Sequence, residues 1–229
     1  MPKPRYGLYF TPAERTDLTA RAASWLGYDA WQQHRVPQAD GFAECHLERI
    51  TQAPRVYGFH ATLKAPFYLA DGKSERSLLD AVSRFSEQTK GTRIAHLDLR
   101  WIGPFLALVP RKQDEPLPCL AGQITETFEP FRAPLSPQDM KRRLQSPLTP
   151  RQVRALLTQG YPYLGDDFHF HMTLTGPVET GLRPAVEEAA SRHFADHLGR
   201  ELAVDRLAIF KQPEAGTPFS VLTSFHLQS

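Results

Sequence analysis

The alternation of apolar and polar positions predicts a chain of short strands interleaved with amphipathic helices. Tyr6 to Phe10 is a short, aromatic-rich run bounded by turn residues and reads as a strand. Thr11-Pro12-Ala13-Glu14 then reads as a helix start, with Thr11 as cap, Pro12 at the first helical position and Glu14 closing a capping box. Leu18, Ala22, Trp25 and Leu26 recur at helical spacing and form its buried stripe. Gly27 to Gly41 is irregular, and a second strand is expected from Val56 to Leu63. Ser74 to Thr89 carries Leu78, Leu79, Val82 and Phe85 on one stripe and reads as a helix. Ile94 to Trp101 and Phe105 to Val109 read as strands with Gly103-Pro104 in the turn between them. Pro118 to Phe131 is expected to be helical, and Pro134 to Gln145 is polar, basic and loop-like at both ends. Thr149-Pro150-Arg151-Gln152 repeats the capping-box pattern and opens a helix through Leu157 that stops near Gly160. Phe168 to Thr175, Ala203 to Phe210 and Phe219 to Leu227 read as strands, and Arg183 to Leu198 as a helix. Without strict strand-helix alternation, and with several short turns, the class is α+β with antiparallel sheet.

Composition narrows the picture. The chain has 229 residues, 41% hydrophobic and 23% charged, which excludes an intrinsically disordered protein. Length allows one large domain or two small ones. Lys and Arg number 27 against 25 Asp and Glu, and a net charge of +2 gives no field for gripping long nucleic acid without regard to sequence. The 14 glycines and 20 prolines imply many loops, but no segment is of low complexity and none reads as a linker. Cys45 and Cys119 are too few for a disulfide framework and lack metal-site spacing, so reduced thiols are expected. The first residues have no apolar stretch behind their basic positions, and no run approaches the roughly 18 apolar residues of a membrane span. A soluble, cytoplasmic protein is the expectation.

The informative feature is a short internal similarity. Phe59-His60-Ala61-Thr62-Leu63-Lys64-Ala65-Pro66 parallels Phe170-His171-Met172-Thr173-Leu174-Thr175-Gly176-Pro177. Residues two apart on a strand share a face. His60, Thr62 and Lys64 therefore lie opposite Phe59, Ala61 and Leu63. Likewise His169, His171, Thr173 and Thr175 lie opposite Phe168, Phe170, Met172 and Leu174. An imidazole exchanges protons near neutral pH, and a threonine hydroxyl two residues on can donate to an adjacent anionic oxygen. Two such pairs facing each other offer a base, an acid and two donors for the non-bridging oxygens of a phosphodiester, with no metal required.

At these residues the sequence resembles the 2H phosphoesterase superfamily. Within it, the branch found with phosphonate-utilisation genes, the DUF1045 domain of undefined function, is the nearer likeness. Arg5-Tyr6, Tyr57 to Phe67, Leu148 to Gln152, Gly160-Tyr161-Pro162-Tyr163 and Phe168 to Gly176 carry that likeness across nearly the whole chain. The resemblance implies a single domain over residues 1–229. Its two intertwined lobes would flank a cleft, one lobe carrying 57–67 and the other 168–177. It implies metal-independent hydrolysis of phosphodiesters, or the reverse ligation, without a cofactor. The implied partners are small phosphorylated molecules such as 2′,3′-cyclic nucleotides and cyclic phosphates of ADP-ribose, or RNA ends, and no membrane. His60 and His171 would be the acid/base pair, and Thr62 and Thr173 would bind phosphate.

Around this pair, Lys64, Thr175 and Tyr6 are candidate substrate contacts. Tyr6 and Tyr9 lie on opposite faces of the first strand, so one of them can line the cleft. An ideal strand places Tyr57 on the face opposite His60, in the core. Arg5 and Arg55 can offer forks to phosphate. Lys141-Arg142-Arg143 with Arg151 and Arg154 is the densest basic cluster; it can steer an anionic substrate or contact RNA, and it reads first as a solvated face. His34, His46, His96, His193, His197 and His226 have no matching partner and read as structural or surface residues. Two other functions stay open: a metal-dependent hydrolase built on Asp166, Asp167, His169 and His171, and a non-catalytic nucleotide or RNA binder. Whether Pro134 to Pro150 covers the cleft is also open.

Overall fold

Strand β1 (Arg5–Phe10) carries Tyr6, Leu8 and Phe10 on one face and Gly7 and Tyr9 on the other, and this alternation divides the molecule. The fold is that of a computed structural model, which describes residues 3–112, 116–145 and 147–229. After β1 come α1 (Asp17–Leu26), the single-turn helices α2 (Leu47–Ile50) and α3 (Gln52–Arg55), β2 (Ala61–Tyr68) and α4 (Glu75–Ser86). Next are β3 (Thr92–Ile94), β4 (Leu97–Ile102), β5 (Phe105–Pro110), α5 (Pro116–Thr127), α6 (Pro137–Arg143) and α7 (Pro150–Gln159). The chain closes with β6 (Met172–Thr173), α8 (Arg183–His193), β7 (Leu202–Val204), β8 (Arg206–Gln212) and β9 (Ser220–His226).

The class is α+β with antiparallel sheet, as the alternation predicts. One seven-stranded sheet runs in the order β4-β5-β6-β2-β1-β8-β9 with antiparallel pairings, and β3 and β7 form a separate two-stranded ribbon. The main core lies on one sheet face. There Tyr6, Leu8, Phe10, Ala61 and Met172 pack against Trp25 of α1, Val82 of α4, Ile124 of α5 and Val186 of α8. The indole of Trp25 also donates to the Leu174 carbonyl at 3.1 Å, tying α1 to the chain just beyond β6. A smaller cluster of Tyr9, Tyr28, Phe210 and Phe219 occupies the opposite face. No described helix is long and apolar enough to cross a membrane, and Cys45 and Cys119 are unpaired.

Several boundaries differ from the sequence reading. The first helix is capped by Thr16, whose hydroxyl accepts from the Thr19 amide, rather than by Thr11. The Thr11 hydroxyl instead donates to the Phe59 carbonyl at 2.8 Å, a contact 48 residues away that no local pattern reveals. The strand expected at Val56–Leu63 begins only at Ala61 and runs to Tyr68. Ahead of it α3 ends at Arg55, and Gly58 turns the chain at φ +70°, where an added Cβ would meet Ala30 at 2.6 Å. Of Phe168–Thr175 only Met172 and Thr173 join the ladder as a regular strand. The run Ala203–Phe210 is split at Asp205, its first part pairing with β3 and its second with β1. Ile94–Trp101 divides in the same way between β3 and β4.

Candidate active site

The two similar segments become adjacent antiparallel strands. Ala61 of β2 pairs with Met172 of β6. That register places His60 across from Thr173 and Thr62 across from His171. Ala61, Met172, Phe59 and Phe170 turn into the main core, so the two histidines and two threonines share the face away from it. They form a four-cornered patch with the imidazoles on one diagonal, a separation of about 7–8 Å between strand positions.

Backbone contacts orient both rings. Nδ1 of His60 lies 2.9 Å from the Gly58 carbonyl, and Nδ1 of His171 lies 2.7 Å from the His169 carbonyl. A carbonyl only accepts, so each Nδ1 carries the proton and each Nε2 is left for proton exchange. Nε2 of His60 is 3.2 Å from the Thr62 hydroxyl, in position to accept from it. The face of the His60 ring is stacked on Tyr9 with centroids 3.9 Å apart. Gly7 makes that stack possible, because a Cβ there would stand 2.5 Å from the Tyr9 ring.

Burial dominates the electrostatics. It pushes the His60 pKa down to about 4, with the nearby His171 acting in the same direction. Burial also lowers His171; the hydrogen bond to the His169 carbonyl opposes this, and the charge of the His169 ring acts with burial. Both imidazoles therefore stand neutral around pH 7 before any anion binds.

Three cavities meet at this patch. One of about 370 Å³ is lined by Arg5, Tyr9, Tyr57, Arg143 and Tyr161 together with His60, Thr62 and Thr173. A second of about 520 Å³ is lined by Thr62, Phe105, Tyr161, Tyr163, His169 and His171. A third of about 250 Å³ is bordered by Tyr57, Gly58, His60, Phe105 and Thr173. The shared lining residues make them branches of one cleft, with polar groups at the centre and aromatic rings on the walls.

Several candidate contacts fall elsewhere. Lys64 is only 3% exposed and points to the helix side, where its amine donates to the Thr125 carbonyl at 3.1 Å and to Glu129 at 2.8 Å. The cause is a register shift: Leu8 pairs with Lys64 but Tyr9 with Thr62, so an extra residue in β2 breaks the alternation between them. Thr175 is fully buried and its hydroxyl accepts from the Leu106 amide at 3.0 Å, which clips β5 to the segment after β6. Tyr6 sits in the core with its hydroxyl on Glu75 at 2.8 Å, and Tyr9 is the tyrosine of β1 that faces the cleft. Tyr57, expected in the core, is 39% exposed and lines the cleft, because residues 57–60 are not yet strand. Arg55 is buried against Glu48 and the Leu26 carbonyl, whereas Arg5 borders the cleft.

The metal alternative is not assembled. Arg151 pairs with Asp166 at 2.6 Å and Asp167 at 2.8 Å. Among the described residues no three His, Cys, Asp or Glu side chains gather as a metal-binding group. The basic cluster also separates: Lys141 and Arg154 are exposed, Arg143 enters the cleft, and the Arg142 side chain lies outside the described residues. Of the other histidines, His193 is packed on Trp25 and bonded to the Arg21 carbonyl, and His197 is bonded to Asp17. Phe105, Tyr161 and Tyr163 are cleft residues that the sequence reading leaves without a role, and Arg143, read there as part of a solvated basic face, lines the cleft as well. The Tyr-Pro-Tyr run after Gly160 was the available signal for two of them, since paired aromatics beside a proline mark a rigid exposed wall.

Residues 62–220 match a family described as "Protein of unknown function (DUF1045)". A protein named ribose 1,5-bisphosphate phosphokinase PhnN from Janthinobacterium sp. (strain Marseille) is 34% identical over 221 residues, covering 94% of this chain and 49% of the relative. One of the same name from Laribacter hongkongensis (strain HLHK9) is 30% identical over 217 residues, covering 94% of this chain and 50% of the relative. The chain thus spans about half the length of the curated relatives it matches. Among solved structures, E. coli LigT complexed with ATP aligns over the full length of both chains at 14% identity and a TM-score of 0.49.

Proposed function

We propose that this chain, which belongs to the DUF1045 family, is a metal-independent phosphoesterase that opens a small cyclic phosphate carried on a ribose or nucleotide. The observation that carries this reading is the crossed pair of His-x-Thr segments, with both Nδ1 atoms tied to backbone carbonyls. In the reaction, His60 Nε2 takes a proton from water as the water oxygen bonds to phosphorus. The ester bond on the opposite side breaks, and His171 gives its Nε2 proton to the departing oxygen. Thr62 and Thr173 donate to the non-bridging oxygens, and the product is a phosphate monoester with a freed hydroxyl. His60 is the base because its pKa is the more strongly depressed, and the anionic substrate favours the protonated form of His171.

The name of the longer relatives, a ribose bisphosphate kinase, supports a ribose phosphate as the substrate class, in line with a place in phosphonate breakdown. RNA ends bearing a cyclic phosphate share the same chemistry. The unpaired thiols Cys45 and Cys119 favour a reducing, cytoplasmic setting. The whole of 1–229 acts as one domain, its sheet halves each supplying one His-x-Thr segment.

The test is turnover, in EDTA, of 2′,3′-cyclic nucleotides, ADP-ribose cyclic phosphate and 5-phosphoribosyl 1,2-cyclic phosphate by wild type, His60→Ala and His171→Ala. Loss of about 10²-fold or more in both variants is expected for paired acid and base. Tight binding without turnover across the panel would make the protein a binder, and turnover abolished by EDTA would restore the metal reading.

A further inference from the structure

The Tyr9 hydroxyl is fully buried and, among the described residues, has no hydrogen-bond partner. Burial holds its pKa well above that of a free phenol, so it remains a proton donor. It belongs to the wall of the 370 Å³ branch of the cleft, close enough to Arg5 and Arg143 for both guanidinium charges to act on it. Arg5, Gly7 and Tyr9 share one face of β1, and the Tyr9 ring lies back over Gly7, with its hydroxyl 2.7 Å from where a Gly7 Cβ would stand. The phenol is thereby carried toward Arg5. Arg5 is itself held in place: its Nε and Nη2 both donate to Gln212 Oε1, at 2.8 and 2.5 Å. Its Nη1 makes no hydrogen bond among the described residues. A donor with nothing to donate to, beside a fixed guanidinium, is suited to an anion.

In the proposed reaction Thr62, Thr173 and the two imidazoles hold the scissile phosphate, which leaves Arg5, Tyr9 and Arg143, on the wall of the same branch, for a different anion. Tyr9 pairs with Thr62 across β1 and β2, and its hydroxyl lies back over Gly7. The second anion centre is therefore one strand spacing across and one residue pair along, about 8 Å from Thr62 by strand dimensions. We propose that Arg5, Tyr9 and Arg143 form a second anion subsite that receives a phosphate monoester carried by the same substrate. The inference rests on reading the His60–His171 patch as a phosphoester site, and it selects doubly phosphorylated substrates over those with a single phosphodiester.

Binding tests it apart from turnover. Alkanediol bisphosphates of about three to six carbons, a reach that spans the strand-derived separation, and the matching alkyl monophosphates would be titrated calorimetrically into wild type, Arg5→Met, Tyr9→Phe and His60→Ala. Tyr9→Phe keeps the ring stacked on His60 and removes only the donor. At least one bisphosphate is expected to bind about tenfold or more tighter than its monophosphate, as charge-assisted hydrogen bonds imply. That preference is expected to fall toward unity in Arg5→Met and Tyr9→Phe and to survive in His60→Ala. If no cyclic phosphate is turned over but the preference behaves this way, the subsite stands and the proposed reaction fails. No preference anywhere in the series, or one indifferent to Arg5 and Tyr9, overturns the subsite.

Discussion

Replacing His60 with Asn is expected to remove most of one acid-sensitive component of stability, and its size follows from the site. The His60 imidazole is stacked on Tyr9, with Phe210 alongside, and burial brings its pKa to about 4 in the folded chain. In the unfolded chain it returns to the ordinary value of about 6.5. Between these values the unfolded chain binds the proton and the folded chain does not, so stability rises with pH through the window and is lost as pH falls toward 4. At about 1.4 kcal/mol per pKa unit, this one histidine accounts for about 3 kcal/mol. Asn keeps an N–H for the Gly58 carbonyl and has nothing to titrate. The assay is urea unfolding of both proteins followed by circular dichroism, at intervals from about pH 4 to about pH 7. The difference between the two stability curves is expected to change by about 3 kcal/mol across the window, wild type losing more on acidification. Parallel curves would refute the claim that packing against Tyr9 keeps His60 neutral.

Because the base needs His60 neutral and the acid needs His171 protonated, kcat/KM should be bell-shaped, rising above about pH 4 and falling below the ordinary 6.5 of histidine. An optimum on the alkaline side of neutrality would contradict both depressed values. Gly7→Ala drives a Cβ into the Tyr9 ring and should cost about 1–3 kcal/mol as overpacking, seen as a lower urea midpoint together with reduced turnover. A neutral result would mean that the ring moves freely. Lys64→Met should destabilise the chain by about 1–3 kcal/mol, less than a stranded buried charge would, because Glu129 retains Arg132. Its kcat/KM should match wild type, and a selective loss of turnover would return Lys64 to the cleft. Thr175→Val leaves the Leu106 amide without its acceptor and should cost about 1–3 kcal/mol, measurable by chemical unfolding.

By itself the sequence determined the local chemistry. Period-two alternation in 59–63 and 170–174 already put imidazole and hydroxyl on one face and Phe, Ala, Met and Leu on the other, because side-chain direction in a strand depends only on position along it. The α+β class followed from the same short-range signals. Tertiary structure decided how those faces meet. Pairing of Ala61 with Met172 sets His60 against Thr173 and Thr62 against His171, and pairing register is a long-range property absent from either strand alone. The extra residue in β2 sends Lys64 to Glu129, and the placing of Glu75 at the start of α4 gives Tyr6 its hydrogen-bond partner on the core side while Tyr9 lies beneath His60. Arg143 reaches the cleft from a helix far along the chain. Local alternation can say that a residue leaves the core, but only the packing of distant elements says what it then faces.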